Sequence, residues 1–115
     1  MMKKRMSEKT LEKEEKIELT NTQRTSIYSY AMDVRKDTLN EICPALLDVC
    51  LDAEGGELKN ELGQVIFHLQ KNERLNTKLG LQKLLDGALR VDPERTFRIL
   101  DTGAPDLSQN IKKAL

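Results

Sequence analysis

The residue types that most often carry chemistry are few and scattered in this chain. His68 is the single histidine among 115 residues, and Cys43 and Cys50 are the two cysteines. An imidazole titrates near neutral pH without perturbation, which makes His68 the one candidate for a general base. No nucleophile stands beside it, and no Gly-rich phosphate loop, GxSxG or HExxH motif occurs, so a boundary or surface histidine is the favoured interpretation. The sequence therefore predicts no catalytic residue and a protein that is not an enzyme.

The cysteines and the histidine are also the side chains that could ligate a metal ion. Zinc ligands commonly occur as pairs about two to four residues apart, whereas Cys43 and Cys50 are separated by about two helical turns, or roughly 10 Å. This separation also exceeds the span of a disulfide bond. We interpret both as reduced thiols of a hydrophobic core, and we expect no metal ion and no cofactor.

The elements that would position any functional side chains are amphipathic segments. Apolar residues recur at helical spacing, which predicts helices over about residues 22–36, 38–53, 57–71, 77–91 and 93–100 and a last short helix capped by Asp106. Thr20 opens a capping-box sequence, Thr38 precedes a glutamate by three residues, and Asp92 precedes a proline, all of which are typical of helix starts. Pro44 lies inside the second segment, where it predicts a kink or a restart of the helix.

These elements indicate the fold class. A chain of 115 residues fits one domain. We expect an all-α domain over residues 21–115, a compact orthogonal or bundle-like array of five to six short helices. Residues 1–20 mix lysines and glutamates with few apolar side chains, so we expect a flexible, disordered arm there. The predicted core consists of Ile27, Ala31, Val34, Leu39, Ile42, Leu46, Val49, Leu58, Leu62, Val65, Ile66, Leu69, Leu81, Leu84, Leu85, Ala88, Phe97, Leu100 and Ile111.

The overall charge is balanced. Nineteen lysines and arginines match nineteen aspartates and glutamates, so the molecule as a whole has no field that would attract nucleic acid or a membrane surface. No segment reaches the length of about 18 apolar residues that a membrane span requires. The basic start of the chain is not followed by the apolar run of a secretory signal. We expect a soluble, cytoplasmic protein that does not contact membranes.

Phe67 is the most conspicuous apolar residue outside the predicted core. At about 100° per residue it projects about 180° from the apolar stripe of the third helix, where a polar side chain is the usual choice. Lys71, Arg74 and Lys78 would share its face if that helix continued beyond residue 72. An aromatic ring among cations can contact an acidic partner, or phosphates and bases, and we predict that these four residues bind a partner. Leu75, Leu79 and Leu81 do not continue the apolar stripe, which indicates a break near residues 72–76 that would disperse the four residues. The alternative is that Phe67 packs under another helix of the chain or under a second subunit.

Charged residues are segregated along the chain. The segment from residue 37 to residue 61 is acidic, and the one from residue 71 to residue 83 is basic. Such a molecule can associate head to tail or bind a charged partner. The alternative is that the acidic and basic segments neutralise each other across the second and fourth helices.

Residues 84–100 resemble a helix-turn-helix. This segment has a helix, a short connection, and a second helix that begins at Asp92 and carries Arg95 and Arg98 one turn apart. The resemblance implies that the second helix enters the DNA major groove, with Arg90, Arg95 and Arg98 as the nucleic-acid-binding residues. Arg90 stands where a glycine often makes the turn, and the connection is unusually short. Residues 16–53 can also be interpreted as a strand and two helices, as in ribbon-helix-helix dimers, although Pro44 does not suit that fold.

The sequence thus favours a small non-enzymatic regulatory or adaptor protein that acts through protein–protein interaction, with another protein or with itself as a homodimer. The alternative is a small DNA-binding transcriptional regulator that uses the helix-turn-helix-like segment. The two hypotheses depend on different basic residues, so the surroundings of those residues in the folded chain bear directly on the choice.

Overall fold

The computed structural model describes residues 19–115, and within this range every regular element is a helix. The six helices are α1 (Asn21–Ala31), α2 (Lys36–Leu51), α3 (Gly56–Lys71), α4 (Lys78–Val91), α5 (Pro93–Gly103) and α6 (Pro105–Ala114). The predicted all-α class and the number of helices are confirmed. None of the six helices is both long and apolar enough to span a bilayer.

Side-chain caps fix several of the helix starts that the sequence predicts. Thr20 and Gln23 form a complete capping box at the start of α1. The Thr77 hydroxyl accepts a hydrogen bond from the Gly80 amide at 3.0 Å and begins α4. Asp92 ends α4, and its carboxylate accepts the Arg95 amide at 3.0 Å to begin α5. Each cap satisfies an amide that would otherwise lack a partner, so these boundaries are encoded locally.

Other boundaries differ from the predictions. α1 ends at Ala31, about one turn earlier than predicted, and α2 begins at Lys36, ahead of the predicted cap Thr38. α2 continues through Pro44 without a restart; the proline is exposed, so water can solvate the carbonyl that its ring leaves unpaired. α6 begins at Pro105 with no side-chain cap, so the predicted capping role of Asp106 is wrong.

The core lies between α2 and α4, with α1, α5 and α6 packed around this pair. Most predicted core residues are buried, but Leu58, Val65 and Phe97 are only half-buried at its margin. Phe97 is at the rim between α5 and α6, where the Lys112 ammonium lies 5.4 Å from the centre of its ring. Buried residues that the predicted core omitted include Leu19, Ala53, Leu89, Thr96, Ala104, Leu107 and Ser108.

Both cysteines belong to this core, as predicted. Burial raises the pKa of the Cys43 thiol to about 11 and that of the Cys50 thiol to about 12. The Cys50 thiol donates to the Leu84 carbonyl at 3.6 Å, and both cysteines are unpaired. They are therefore protonated packing residues near neutral pH.

The packed part of the chain extends slightly beyond the predicted domain. Residues 1–18 of the predicted arm lie outside the described residues, as does most of the strand in the ribbon-helix-helix interpretation. Leu19 is buried against the core and Thr20 caps α1, so the described packing includes the last two residues that the prediction assigned to the arm.

α3 lies at the edge of the described helices. Its main packing partners are α2 and α4. Gly87 of α4 permits the close approach of the two helices, since a Cβ atom at that position would lie 2.5 Å from Leu62 Cδ2 of α3. Leu62, Ile66 and Leu69 are buried in this contact, and the opposite side of α3 faces solvent.

Candidate partner-binding surface

The end of α3 decides how the predicted binding residues are arranged. The helix ends at Lys71, and Glu73 adopts a left-handed conformation with φ of 55°. The Arg74 amide then donates to the Leu69 carbonyl at 2.8 Å, which closes the turn. Gly80 packs against this turn so closely that a Cβ atom there would lie 2.2 Å from the Arg74 carbonyl oxygen. α3 therefore does not continue beyond residue 72, and the uninterrupted face that the sequence prediction required does not form.

Phe67 is exposed, as the predicted outward position requires. The ring is 60% exposed and no helix of residues 19–115 covers it, which excludes packing under another helix in this part of the chain. The Lys71 ammonium lies 5.9 Å from the centre of the ring, and the His68 ring meets it edge-on at 5.8 Å. Phe67 and Lys71 thus share the outer face of α3, and His68 lies beside them.

A groove separates the other cations from Phe67. It has a volume of about 270 Å³ and lies between the last turns of α3 and the start of α4. Its lining is mainly apolar, from Val65, Leu69 and Leu79, with Arg74 and Lys83 contributing positive charge. His68 and Asn72 complete the lining. We call this feature the α3–α4 groove. The structure therefore places Phe67 and Lys71 on one side of α3, Arg74 in the groove on the other, and Lys78 exposed at the start of α4.

The cations in this region have no carboxylate partner among residues 19–115. Within residues 19–115, Lys71, Arg74, Lys78 and Lys83 form no ion pair. The acidic segment is partly neutralised instead by arginines elsewhere. The expectation that the acidic and basic segments neutralise each other is therefore wrong for the described residues, and the α3–α4 groove keeps its positive charge.

Arg90 of the helix-turn-helix-like segment has a different environment. Its guanidinium donates to both carboxylate oxygens of Glu61, at 3.4 and 2.9 Å, and lies 3.7 Å from Asp86. Arg24 of α1 contacts the same Asp86 at 3.2 Å, so the network joins α1, α3 and α4. The hydrogen bonds from Arg90 lower the pKa of Glu61 and raise that of Arg90 itself. With a side chain only 20% exposed, Arg90 connects helices within the chain.

Arg95 and Arg98 are also paired. Arg95 donates to Asp52 at the end of α2, and Arg98 donates to Glu94 one turn earlier at 3.2 Å. Both arginines line a groove of about 380 Å³ between α2 and α5, which is larger than the α3–α4 groove. Because carboxylates compensate its cations, this larger groove has less charge available for a partner than the α3–α4 groove.

Of the seven residues that line the α3–α4 groove, sequence reasoning had assigned only Arg74 to a binding surface. Val65 was assigned to the core, and Leu79 does not fall on the apolar stripe of α4. The position of Leu79 off the stripe could have indicated the groove, because such a leucine is either exposed or part of a second apolar surface. Leu79 is indeed 41% exposed.

No protein-family model matches this chain, and no curated protein or solved structure is significantly similar to it. Within residues 19–115 no three side chains of His, Cys, Asp or Glu are grouped so that they could hold a metal ion.

Proposed function

We propose that this protein is a small non-enzymatic adaptor that binds an acidic, amphipathic helix of a partner protein in the α3–α4 groove. The observation that carries the proposal is the combination of an apolar lining with cations that have no carboxylate partner in the described chain. An amphipathic helix typically binds such a groove through apolar residues three and four positions apart.

Charge defines the partner in this proposal. Arg74 and Lys83 line the groove, and Lys78 lies exposed at the start of α4. Carboxylates beside the apolar residues of the partner helix would meet these cations. Opposite charges of this kind accelerate association and disfavour partners of the wrong sign, while the apolar contact supplies most of the affinity.

The contacts of the arginines favour this proposal over DNA binding. A DNA-binding role for Arg90 and Arg95 requires both to leave carboxylates of the same chain, and Arg90 is largely buried. Arg98 is more exposed but pairs with Glu94. Phosphate contacts would have to compensate for these lost interactions. A duplex-DNA titration at about 50 and about 200 mM salt tests the alternative, because phosphate binding weakens steeply with salt.

An NMR titration tests the groove. The probe is a synthetic helical peptide of about 14 residues, with leucines at positions i, i+3, i+4 and i+7 and glutamates elsewhere, added to ¹⁵N-labelled protein. We expect amide shifts in the second half of α3 and the first two turns of α4, with a Kd of about 10–100 µM. The same peptide with lysines in place of glutamates should bind at least about tenfold more weakly.

Charge reversal provides the matched control. Arg74→Glu combined with Lys83→Glu should weaken binding of the acidic peptide at least about tenfold, whereas Lys113→Glu on α6 should leave it unchanged. Shifts spread evenly over all lysine-bearing surfaces would show only general charge attraction and would refute the groove. Equal affinity for the glutamate and lysine peptides, or the absence of amide shifts, would also refute the groove as the binding site.

A further inference from the structure

The outer face of α3 carries a second pattern that the adaptor proposal does not use. Glu57, Asn60, Gln64, Phe67 and Lys71 follow one another at spacings of three and four residues, which is the spacing of a coiled-coil seam. All five are exposed, and no other helix of residues 19–115 covers this stripe. We call it the outer stripe of α3.

The outer stripe is charged oppositely at its two ends. Glu57 lies in the first turn of α3 and Lys71 in the last, so they are separated by nearly the whole 16-residue helix. At about 1.5 Å per residue this distance is about 21 Å, too far for the two side chains to meet within one chain. Neither forms an ion pair within the described residues.

A glycine beside this stripe has no explanation in the packing of residues 19–115. Gly63 lies in the middle of α3, where glycine is less favourable than alanine by about 1 kcal/mol. Gly80 and Gly87 are needed because a Cβ atom at either position would clash with neighbouring atoms. A Cβ atom on Gly63 would meet nothing within 4 Å, so only open space lies above it. Gly63 is four residues before Phe67, and the two share one side of the helix.

We propose that the outer stripe pairs with the outer stripe of a second copy of this chain, in antiparallel orientation about a twofold axis. Antiparallel pairing places Glu57 of each copy near Lys71 of the other, so one residue pair gives two ion pairs by symmetry. Phe67 of each copy then packs over the open surface at Gly63 of the other. Gln64 lies close to the axis, where its amide can both donate to and accept from its symmetry mate.

The same arrangement keeps the α3–α4 groove accessible, because the groove and the outer stripe lie on different sides of α3. The dimer would thus present two grooves. The dimer proposal goes beyond the adaptor proposal and does not depend on it, since the groove residues Arg74 and Lys83 take no part in the pairing.

The surface buried between the two outer stripes is small, and interfaces of less than about 1,200 Å² are typical of transient association. We therefore expect a weak dimer with a Kd of about 10–300 µM.

Sedimentation equilibrium over a concentration range of about 5–500 µM tests the dimer, because the dimer fraction must rise with concentration. Glu57→Lys and Lys71→Glu should each raise the Kd of the dimer at least about tenfold. Because of the twofold symmetry, each substitution replaces two ion pairs between positions 57 and 71 with two contacts between like charges. An equimolar mixture of the two variants should dimerise about as tightly as the unchanged protein, because every Glu–Lys contact is restored in the mixed pair. Lys36→Glu at the start of α2 is the matched control and should not change the Kd. Circular dichroism checks that each variant is folded.

Three results would overturn this pairing. The unchanged protein could stay monomeric over the whole range. It could dimerise with a Kd that neither charge variant alters, which would place the contact elsewhere. The two variants could fail to restore dimerisation when mixed, which would exclude the antiparallel arrangement. Restoration by mixing is the supporting result, because a loss of folding in either variant cannot produce it.

Discussion

The basic residues of this protein occupy two contrasting environments. The arginines around the α4–α5 junction, Arg90 and Arg95, are paired with carboxylates of α3 and α2. Arg74 and Lys83, at the α3–α4 groove, have no such partner within residues 19–115. Both groups look alike in the sequence. The first group therefore stabilises the packing of helices, while the second retains charge that a partner can use.

The largest expected effect comes from the glycine that shapes the turn before α4. Gly80→Ala should lower the free energy of unfolding by about 2–3 kcal/mol, because its Cβ atom would clash with the backbone of the turn that carries Arg74. Urea denaturation measures this change. Gly63→Ala, measured in dilute solution, is the control. It should raise stability by up to about 1 kcal/mol, because nothing surrounds that position and alanine favours the helix. If Gly80→Ala were as stable as the unchanged protein, the turn before α4 would be able to shift, and the α3–α4 groove would then not be rigid.

The next effect tests the comparison between the two groups of cations directly. Arg90→Ala should destabilise the protein by about 2 kcal/mol, because it leaves Asp86, whose side chain is 16% exposed, and Glu61 without this partner. Arg74→Ala should change stability by less than about 0.5 kcal/mol. Thermal and urea unfolding of both variants gives the comparison. Equal costs for the two substitutions would remove the distinction between structural and available cations.

The smallest effect is a pH dependence at Glu61. Arg90 lowers the pKa of this carboxyl below its usual value, so Glu61 contributes stability above that value and loses the contribution as the pH falls through the lowered pKa. Because Glu61 is half-exposed, the contribution should be only about 0.2–1 kcal/mol. Glu61→Gln should therefore be less stable than the unchanged protein at pH 7. The difference should vanish in acid, where Glu61 is protonated. A difference that persists below about pH 3 would mean that the lost contact is not ionic.

Much of the fold was predictable because it depends on local interactions. The capping residues Thr20 and Asp92 lie at helix starts as predicted, since each cap needs only an amide three residues away. Apolar stripes at helical spacing identified most of the core. Of the kink or restart that the sequence predicts at Pro44, the restart does not occur: the proline is exposed, so water can solvate the backbone carbonyl that its ring leaves without a partner.

The candidate surface was only partly predictable. The outward direction of Phe67 follows from helical periodicity alone, and it is confirmed. The grouping of Phe67 with Arg74 and Lys78 depended on where α3 ends. The helix ends at Lys71, as the predicted range of about 57–71 and the break in the apolar pattern after it indicate, so the face that would have joined these residues does not form.

The helical class, most helix starts, the apolar stripes and the exposure of Phe67 can be read from the sequence, because they follow from interactions between residues a few positions apart. Which charges are neutralised depends instead on how the helices pack. Arg90 lies 29 residues from Glu61, and Arg95 lies 43 residues from Asp52. Such pairs form when packing brings distant helices together, and no local pattern encodes them. The same packing left the α3–α4 groove with its positive charge and the outer stripe of α3 without a cover in the described chain.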